Sequence, residues 1–454
     1  MNSETIVALS TPPGRSGIGI IRLSGPQSLK YVRCLLNDEN FTPDPNRVTL
    51  KSIIDSENGE VLDHALVTYF KAPHSFTGED IVELSCHGSP VLLMSVLDAL
   101  LRLGARMADP GEFTLRALSN GRLNLSQAEA IRDLIDAQTS TAAKQAMRQL
   151  GGEMSLRLQP IKNELINIIV LLESSLEFVE DDLPQLAWDK INSQLTDLVG
   201  TLNKFALTFH AGRLLKEGIK VVLIGRPNVG KSSVFNGLLC LDRAIVTAIP
   251  GTTRDSLSEM LNLNGVPVLL TDTAGLRLSS DPIESIGIER TRQAIADADL
   301  IVVVLDNSSS LAKEDLEILA DVSHAAYLVV LNKCDLISHS NGAFADCIQG
   351  GKVIKISAKT GEGLNDLRES LVEPFANGAV NDAGFLITNS RHYDLLRRSI
   401  GALTASGESI KQGASEDLVL VGLYDALRYL GEITGETTSE DVLTQIFSTF
   451  CIGK

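Results

Sequence analysis

Apolar and polar positions follow different rhythms along the chain. Over the first hundred or so residues, strand-like and helix-like patterns alternate: Ile18, Ile20 and Leu23 lie in a Gly-rich apolar run, and Ile81, Val82 and Leu84 form another. This predicts a small α+β domain. From about residue 123 the spacing becomes helical, with Leu125, Ala128, Ile131 and Ile135 on one face and Leu165, Ile168, Ile169 and Leu172 on a later one. Near residue 220 it changes again, to short β-branched runs at 221–224, 266–270, 301–305, 328–331 and 353–356 separated by helical stretches. Such alternation predicts an α/β domain with a parallel sheet. After about residue 374 helical spacing returns, as at Leu420, Leu423, Leu427 and Leu430, so the α/β domain reads as an insertion into a helical one.

Composition adds bounds. A chain of 454 residues, 44% hydrophobic and 21% charged, has an ordinary globular make-up and the length for about three units. Its six cysteines (Cys34, Cys86, Cys240, Cys334, Cys347 and Cys451) have no paired metal-ligand spacing, so reduced thiols are expected. Cys86 and His87 are adjacent but supply too few ligands for a metal, which favours a structural role. The opening residues, MNSETIVALSTPPGR, carry no basic leader with an apolar core, and no apolar run reaches spanning length without charges. The expectation is a cytoplasmic protein without a membrane segment. A net charge of −17 opposes nonspecific binding to phosphate backbones, so any RNA contact must be local.

Candidate chemistry is concentrated in the inserted domain. The run at 221–224 leads into GRPNVGKSS, followed by a helical pattern, the setting of a phosphate-binding loop. Glycines let backbone amides converge there, Lys231 reaches the β- and γ-phosphates, and the Ser232 hydroxyl ligates Mg²⁺. Asp272-Thr273-Ala274-Gly275 ends the run at 266–270, offering a carboxylate for Mg²⁺ and a glycine amide for the γ-phosphate. Asn332-Lys333-Cys334-Asp335 follows another strand, and its Asp carboxylate accepts N1–H and N2–H of guanine, which adenine does not offer. Ser357-Ala358-Lys359 follows the last strand and brings a backbone amide toward guanine O6. In Gly251-Thr252-Thr253-Arg254-Asp255, Thr253 is the second hydroxyl for Mg²⁺ and a sensor of the γ-phosphate. Order and context together specify GTP.

Activation of the attacking water is less direct. Leu276 stands where many small GTPases place a water-orienting Gln, so Arg277, Asp281 and Glu284 are candidates for that task. Asn228 has two readings: it helps hold a monovalent cation against the phosphates, or it hydrogen-bonds its own backbone.

The full set of motifs resembles the MnmE (also called TrmE) family of tRNA-modification GTPases. The resemblance covers essentially the whole chain and rests on TPPGRSGIGIIRLSG, SFTGEDIVELSCHGSP, PGEFTLRALSNGRLNLSQAEAI, GTTRD, DTAGLR, IGIER and the final FCIGK. It implies an α+β folate-binding and dimerisation domain at 1–119, a discontinuous helical domain at 120–214 and 378–454, and an inserted Ras-like P-loop G domain at 215–377. GTP contacts are then expected at Asn228, Val229, Gly230, Lys231, Ser232 and Ser233, and at Thr247, Ala248, Ile249, Pro250, Gly251, Thr252 and Thr253. Asp272, Thr273, Ala274, Gly275, Asn332, Lys333, Asp335, Ser357, Ala358 and Lys359 complete them. The resemblance places K⁺ on Asn228, Thr247, Ile249 and Thr252, and singles out Glu284 as the water-orienting group beside Lys231 and Thr253.

The two ends of the chain gain meaning only through the resemblance. A tetrahydrofolate, 5-formyltetrahydrofolate or a relative, falls to Arg22, Glu83, Arg122 and Lys454, with Arg122 standing where a lysine is common. Cys451 would on its own be a packed or incidental thiol; the family associates its C-terminal cysteine with the modification chemistry, and Lys454 would supply the electropositive setting a thiolate needs. The implied activity is a potassium-stimulated, dimerisation-activated GTPase. With the flavoprotein MnmG, in a heterotetramer or larger complex, it modifies carbon 5 of the tRNA wobble uridine, adding an aminomethyl or carboxymethylaminomethyl group. A GTP-controlled RNA or ribosome assembly factor without modification chemistry is the rival reading, and a folate-dependent transferase with a purely regulatory G domain is a third.

Overall fold

The computed structural model describes residues 4–55, 57–177, 188–241, 258–273, 293–336, 352–373, 384–436 and 440–453. Two compact units share the chain: Met1–Arg132 with Gln149–Ser174 and Leu423–Lys454, and Asp133–Arg148 with Ser175–Gly422.

In the first unit, β1 (Ile6–Leu9), β2 (Ile18–Ser24), β3 (Val48–Ile54), β4 (Val61–Phe70), β5 (Ile81–His87) and β6 (Arg106–Met107) form one sheet in the order β3-β4-β5-β2-β1-β6. The period of two sends Ile21, Leu23, Val67, Val82 and Leu84 to one face, against Val32, Leu35, Leu93, Val96 and Leu100 of the helices Ser28–Leu35 and Pro90–Arg102. Each such side chain contributes about 1.5–3 kcal/mol by leaving water. The same alternation puts Arg22 and Glu83 on the opposite face, directly paired across β2 and β5.

Strand β6 is short, and charges hold it. Arg106 donates to Glu4 at 2.9 Å and to Glu112 at 2.6 Å, while Arg116 donates to the same Glu112 oxygen at 2.9 Å. Behind them, Phe447 and Phe450 pack with Leu125 and Ala128, bringing the last helix, Glu440–Phe447, onto the helix Leu125–Asp136. Of the face foreseen for this segment, Leu125, Ala128 and Ile131 are buried, but Ile135 is 46% exposed. The helix ends one residue later, and in its last turn the covered position is Asp133, which pairs with Lys216 at 2.8 Å.

The second unit contains β7 (Ile219–Ile224), β8 (Ser258–Leu263), β9 (Val266–Asp272), β10 (Leu300–Asp306), β11 (Tyr327–Asn332) and β12 (Lys352–Lys355), in the order β12-β11-β10-β7-β9-β8. All neighbours are parallel except β8 and β9. Val302 and Val304 face one core and Ile301 and Val303 the other, which is why these strands are apolar throughout rather than alternating. The sequence reading omitted β8. Its signal was Asn264-Gly265, whose φ values of 54° and 88° make a two-residue hairpin turn. Strand order reverses beside β7, and in open parallel sheets ligands bind at the carboxyl ends of the strands at such a point. Helices Trp188–Leu207 and Ser390–Lys411 pack together in this unit.

Glu112 offers a pH-dependent check on the first unit. Burial raises its pKa, but hydrogen bonds from Arg106, the Asp109 amide and Arg116 outweigh this and hold it below its ordinary 4.5. A carboxylate depressed in this way stabilises the fold above its unfolded pKa and stops doing so as pH falls through the native value. Replacing it by glutamine (Glu112→Gln) is expected to cost about 2 kcal/mol of local stability at pH 7. The difference from the parent should vanish well below pH 4.5. Amide exchange of β1 and β6 in the full chain measures it.

Candidate functional site

The phosphate loop at 225–232 leaves β7 and enters the helix Lys231–Leu241. Its glycines are sterically required. At Gly225 (φ 148°) a Cβ would lie 2.3 Å from the Val304 carbonyl oxygen, and at Gly230 (φ 97°) it would lie 2.3 Å from Asn332 Nδ2. The loop is pressed against the end of β10 on one side and the Asn332 motif on the other. Lys231 folds across it, its ammonium donating to the Gly225 and Arg226 carbonyls at 2.8 Å each. Asn228 takes φ 64° and its side chain is exposed at the loop's rim. An amide-rich turn at a helix N-terminus, crossed by an ammonium, is suited to a polyphosphate.

Beside it, the Ser232 hydroxyl donates to Asp272 Oδ2 at 2.7 Å, and Asp272 is fully buried at the end of β9. Thr273 is tied to β7 through the Leu223 carbonyl at 2.7 Å. A hydroxyl and a carboxylate oxygen so placed fit Mg²⁺, a hard cation that prefers oxygen ligands. Thr247, Ala248, Ile249, Pro250, Gly251, Thr252, Thr253, Ala274, Gly275 and Glu284 lie outside the described residues, as do Leu276, Arg277 and Asp281.

The third wall is built from the Asn332 and Ser357 motifs. Gly230, Ser233, Asn332, Lys333, Asp335, Leu336, Ala358 and Lys359 line a cavity of about 400 Å³. Asn332 does not face it as a ligand: it donates to the Val229 carbonyl at 2.9 Å and accepts from the Ala358 amide at 3.0 Å, joining three loops. Ser357 donates to Asp335 Oδ1 at 2.7 Å and so orients the carboxylate foreseen for the base.

Three residues of this site were missed in the sequence. Asp306 closes β10 and accepts from the Lys333 ammonium at 2.6 Å, and the same ammonium donates to the Asn228 carbonyl at 2.9 Å. Burial raises the Asp306 pKa, but the hydrogen bonds from Lys333 and Ser308 prevail and leave it below the ordinary carboxylate range. Arg226 donates to the buried Asp315 at 2.7 Å. For Asp306 the available signal was an acidic residue at the end of a buried strand, the same signal that marked Asp272; Asp315 stands in the first turn of the helix Lys313–Val322 and carried no such signal.

Comparison with known proteins agrees with this geometry. The family described as "MnmE helical domain" matches residues 125–451, and "GTP-binding protein TrmE N-terminus" matches residues 5–122. The protein named tRNA modification GTPase MnmE from Koribacter versatilis (strain Ellin345) is 45% identical over 457 residues, covering 99% of each chain. Its namesake from Aquifex aeolicus (strain VF5) is 41% identical over 452 residues, covering 99% of this chain and 100% of that one. A third, from Alkaliphilus oremlandii (strain OhILAs), is 40% identical with 99% of each chain covered.

The chain belongs to the MnmE family. In this family member two of the foreseen folate residues, Arg22 and Glu83, meet on the N-terminal sheet. Arg22 Nε donates to Glu83 Oε1 at 2.8 Å, and its NH1 donates to the Gly453 carbonyl at 3.1 Å. The Arg22 guanidinium lies 5.9 Å from the Phe76 ring centroid and 5.7 Å from that of Phe113. Arg122 donates to the Ser75 carbonyl at 3.2 Å, in the loop that carries Phe76. Glu83 Oε2 accepts no hydrogen bond among the described residues, so the carboxylate retains an acceptor for a donor edge. Arg22 and Glu83 are thus half-buried partners. Lys454 lies outside the described residues, and Cys451 is an exposed free thiol whose carbonyl accepts from the Gly111 amide.

Cys86 and His87 part company. The Cys86 thiol is buried and pushed up to about 12 by desolvation, while His87 pairs with Asp63 at 2.6 Å. Among the described residues no group of three or more His, Cys, Asp or Glu side chains is arranged to hold a metal, and no helix is long and apolar enough to cross a membrane.

Asn332→Ala should leave the Val229 carbonyl and Ala358 amide without this partner, at a cost of about 1–3 kcal/mol for buried polar groups. Fluorescent GDP titration of the full chain should show binding weakened by about tenfold or more, since each 1.4 kcal/mol is a factor of ten. Unchanged affinity would refute the bridging role.

Proposed function

We propose that this chain hydrolyses GTP to GDP and phosphate as one step of tRNA modification. The observation that carries this is the single constellation in which Lys231 crosses the phosphate loop, Ser232 meets buried Asp272, and Asp335 is held by Ser357. Lys231 neutralises the β- and γ-phosphates, and Asp335 accepts from the guanine edge. A backbone amide of Ser357-Ala358-Lys359, the loop that Asn332 holds through Ala358, meets guanine O6. Ser232 with Thr253 would hold Mg²⁺, which would supply charge neutralisation to the phosphates. Leu276 has no group to orient water; Glu284 takes that role.

In this reading Asn228, with Thr247, Ile249 and Thr252, holds K⁺ where other GTPases use an arginine finger. Two GTP-loaded G domains of a homodimer complete each other, and hydrolysis gates a conformational step. The N-terminal domain binds a tetrahydrofolate through Glu83, Arg22, Arg122 and Lys454, supporting a one-carbon transfer to carbon 5 of the wobble uridine in cytoplasmic tRNA. The redox half falls to the flavoprotein MnmG, with Cys451 associated with the modification chemistry. Its relatives' name, tRNA modification GTPase, and the matched N-terminal family favour this over the assembly-factor reading.

Two measurements test it. Nucleoside mass analysis of tRNA from cells lacking the chain should show loss of the C5-modified wobble uridine; an intact profile would return the assembly factor to favour. Hydrolysis should rise at least tenfold, on the order expected of transition-state charge compensation, when K⁺ replaces Na⁺ at equal ionic strength. Asn228→Ala should abolish the rise, and equal rates in both salts would remove the cation from the mechanism.

A further inference from the structure

Asp306 lies outside every nucleotide motif of the sequence, yet both of its carboxylate oxygens are engaged at the site. Oδ1 accepts from the Ser308 amide at 2.9 Å and the Ser308 hydroxyl at 2.6 Å. Oδ2 accepts from the Lys333 ammonium at 2.6 Å, and that ammonium reaches the Asn228 carbonyl at 2.9 Å. Ser308 therefore orients the carboxylate, the carboxylate anchors the ammonium, and the ammonium grips the phosphate loop.

Asn228 and Lys333 both sit in the left-handed region, at φ 64° and 67°. Non-glycine residues keep such conformations only where neighbours impose them. Here one ammonium joins the two positions. A lysine side chain is a flexible stem carrying a compact charge, so without a fixed counter-charge it has no single preferred place. Near a nucleotide it would be drawn to the phosphates and release the Asn228 carbonyl. An uncompensated ammonium so close to Asn228 would also repel any second cation there, since charge repulsion is strong where screening is poor.

We propose that Asp306 is a positioning residue of the GTP site. Acting through Lys333, it holds the Asn228 backbone, and hence the direction of its side chain, and it neutralises the ammonium so that a monovalent cation can bind beside it. It does not touch the nucleotide. The cation half of this inference rests on the reading of Asn228 as a potassium ligand; the nucleotide half does not.

The test uses the full chain, fluorescent GDP, and GTP turnover across K⁺ concentrations at constant ionic strength. Asp306→Ala is expected to weaken GDP binding about tenfold and to raise the half-saturating K⁺ concentration by a similar factor, and Lys333→Ala to do the same. The double variant should lose no more GDP affinity than either single one, because both act along one chain of contacts. Asp306→Asn keeps the size and one oxygen acceptor but not the charge. It should bind GDP within about threefold of the parent while still needing more K⁺, a split that misfolding would not produce.

Additive GDP losses in the double variant, or unchanged GDP affinity in Asp306→Ala, overturn the proposal. If the parent responds to K⁺ and Asp306→Ala responds at the same concentration, the proposal falls while the potassium reading stands. If the parent is indifferent to K⁺, that reading falls and the GDP cycle decides for or against Asp306.

Discussion

One amide side chain, that of Asn332, holds the nucleotide site together. Its donor binds the phosphate loop at Val229 and its acceptor binds the Ser357 loop at Ala358, so phosphate and base recognition share a single buried anchor. The anchor works only because Gly230 has no side chain, since a Cβ there would fall on the Asn332 amide. Buried polar groups are costly when unpaired, so this contact is held firmly once formed. Every other nucleotide-facing group described is placed relative to these loops.

The remaining contacts divide by charge. Lys231 and Lys333, two ammonium groups on neighbouring loops, are directed differently: the first to loop carbonyls that phosphates would replace, the second to Asp306 and Asn228. In a chain of net charge −17, a polyanion is welcomed by local arrangement rather than by the overall field. Local arrangement also governs the N-terminal sheet, where Arg22 lies near the Phe76 and Phe113 rings and is shared by Glu83 and the Gly453 carbonyl.

Much was legible in advance because its signals are local. Continuous apolar runs reported strands buried on both faces, alternation reported a half-covered sheet, and GRPNVGKSS, DTAG, NKCD and SAK reported loops whose backbone geometry their own residues impose. What was harder to read depended on partners far away in sequence. Ile135 continues a helical stripe but stays exposed in a last turn whose covered position is Asp133. Strand β8 buries only Leu261 and Leu263, and its Asn264-Gly265 turn is a short signal. Asp306 and Asp315 look like ordinary acidic residues until Lys333 and Arg226 are found beside them.

The sequence by itself determined the class of chemistry: a strand, a glycine loop, a lysine and a hydroxyl in that order bind a triphosphate, because spacing along a chain suffices to build that cradle. It also carried the family, through motifs spread over the full length. Only the tertiary structure decided which polar groups serve the ligand and which serve the scaffold. Asn332 and the Ala358 amide turned inward to each other, Asp335 stayed open beneath Ser357, and Asp306 joined the site from another strand. A side chain's role follows from what lies within hydrogen-bond reach, and the packing of β10 against β11 brought those groups together.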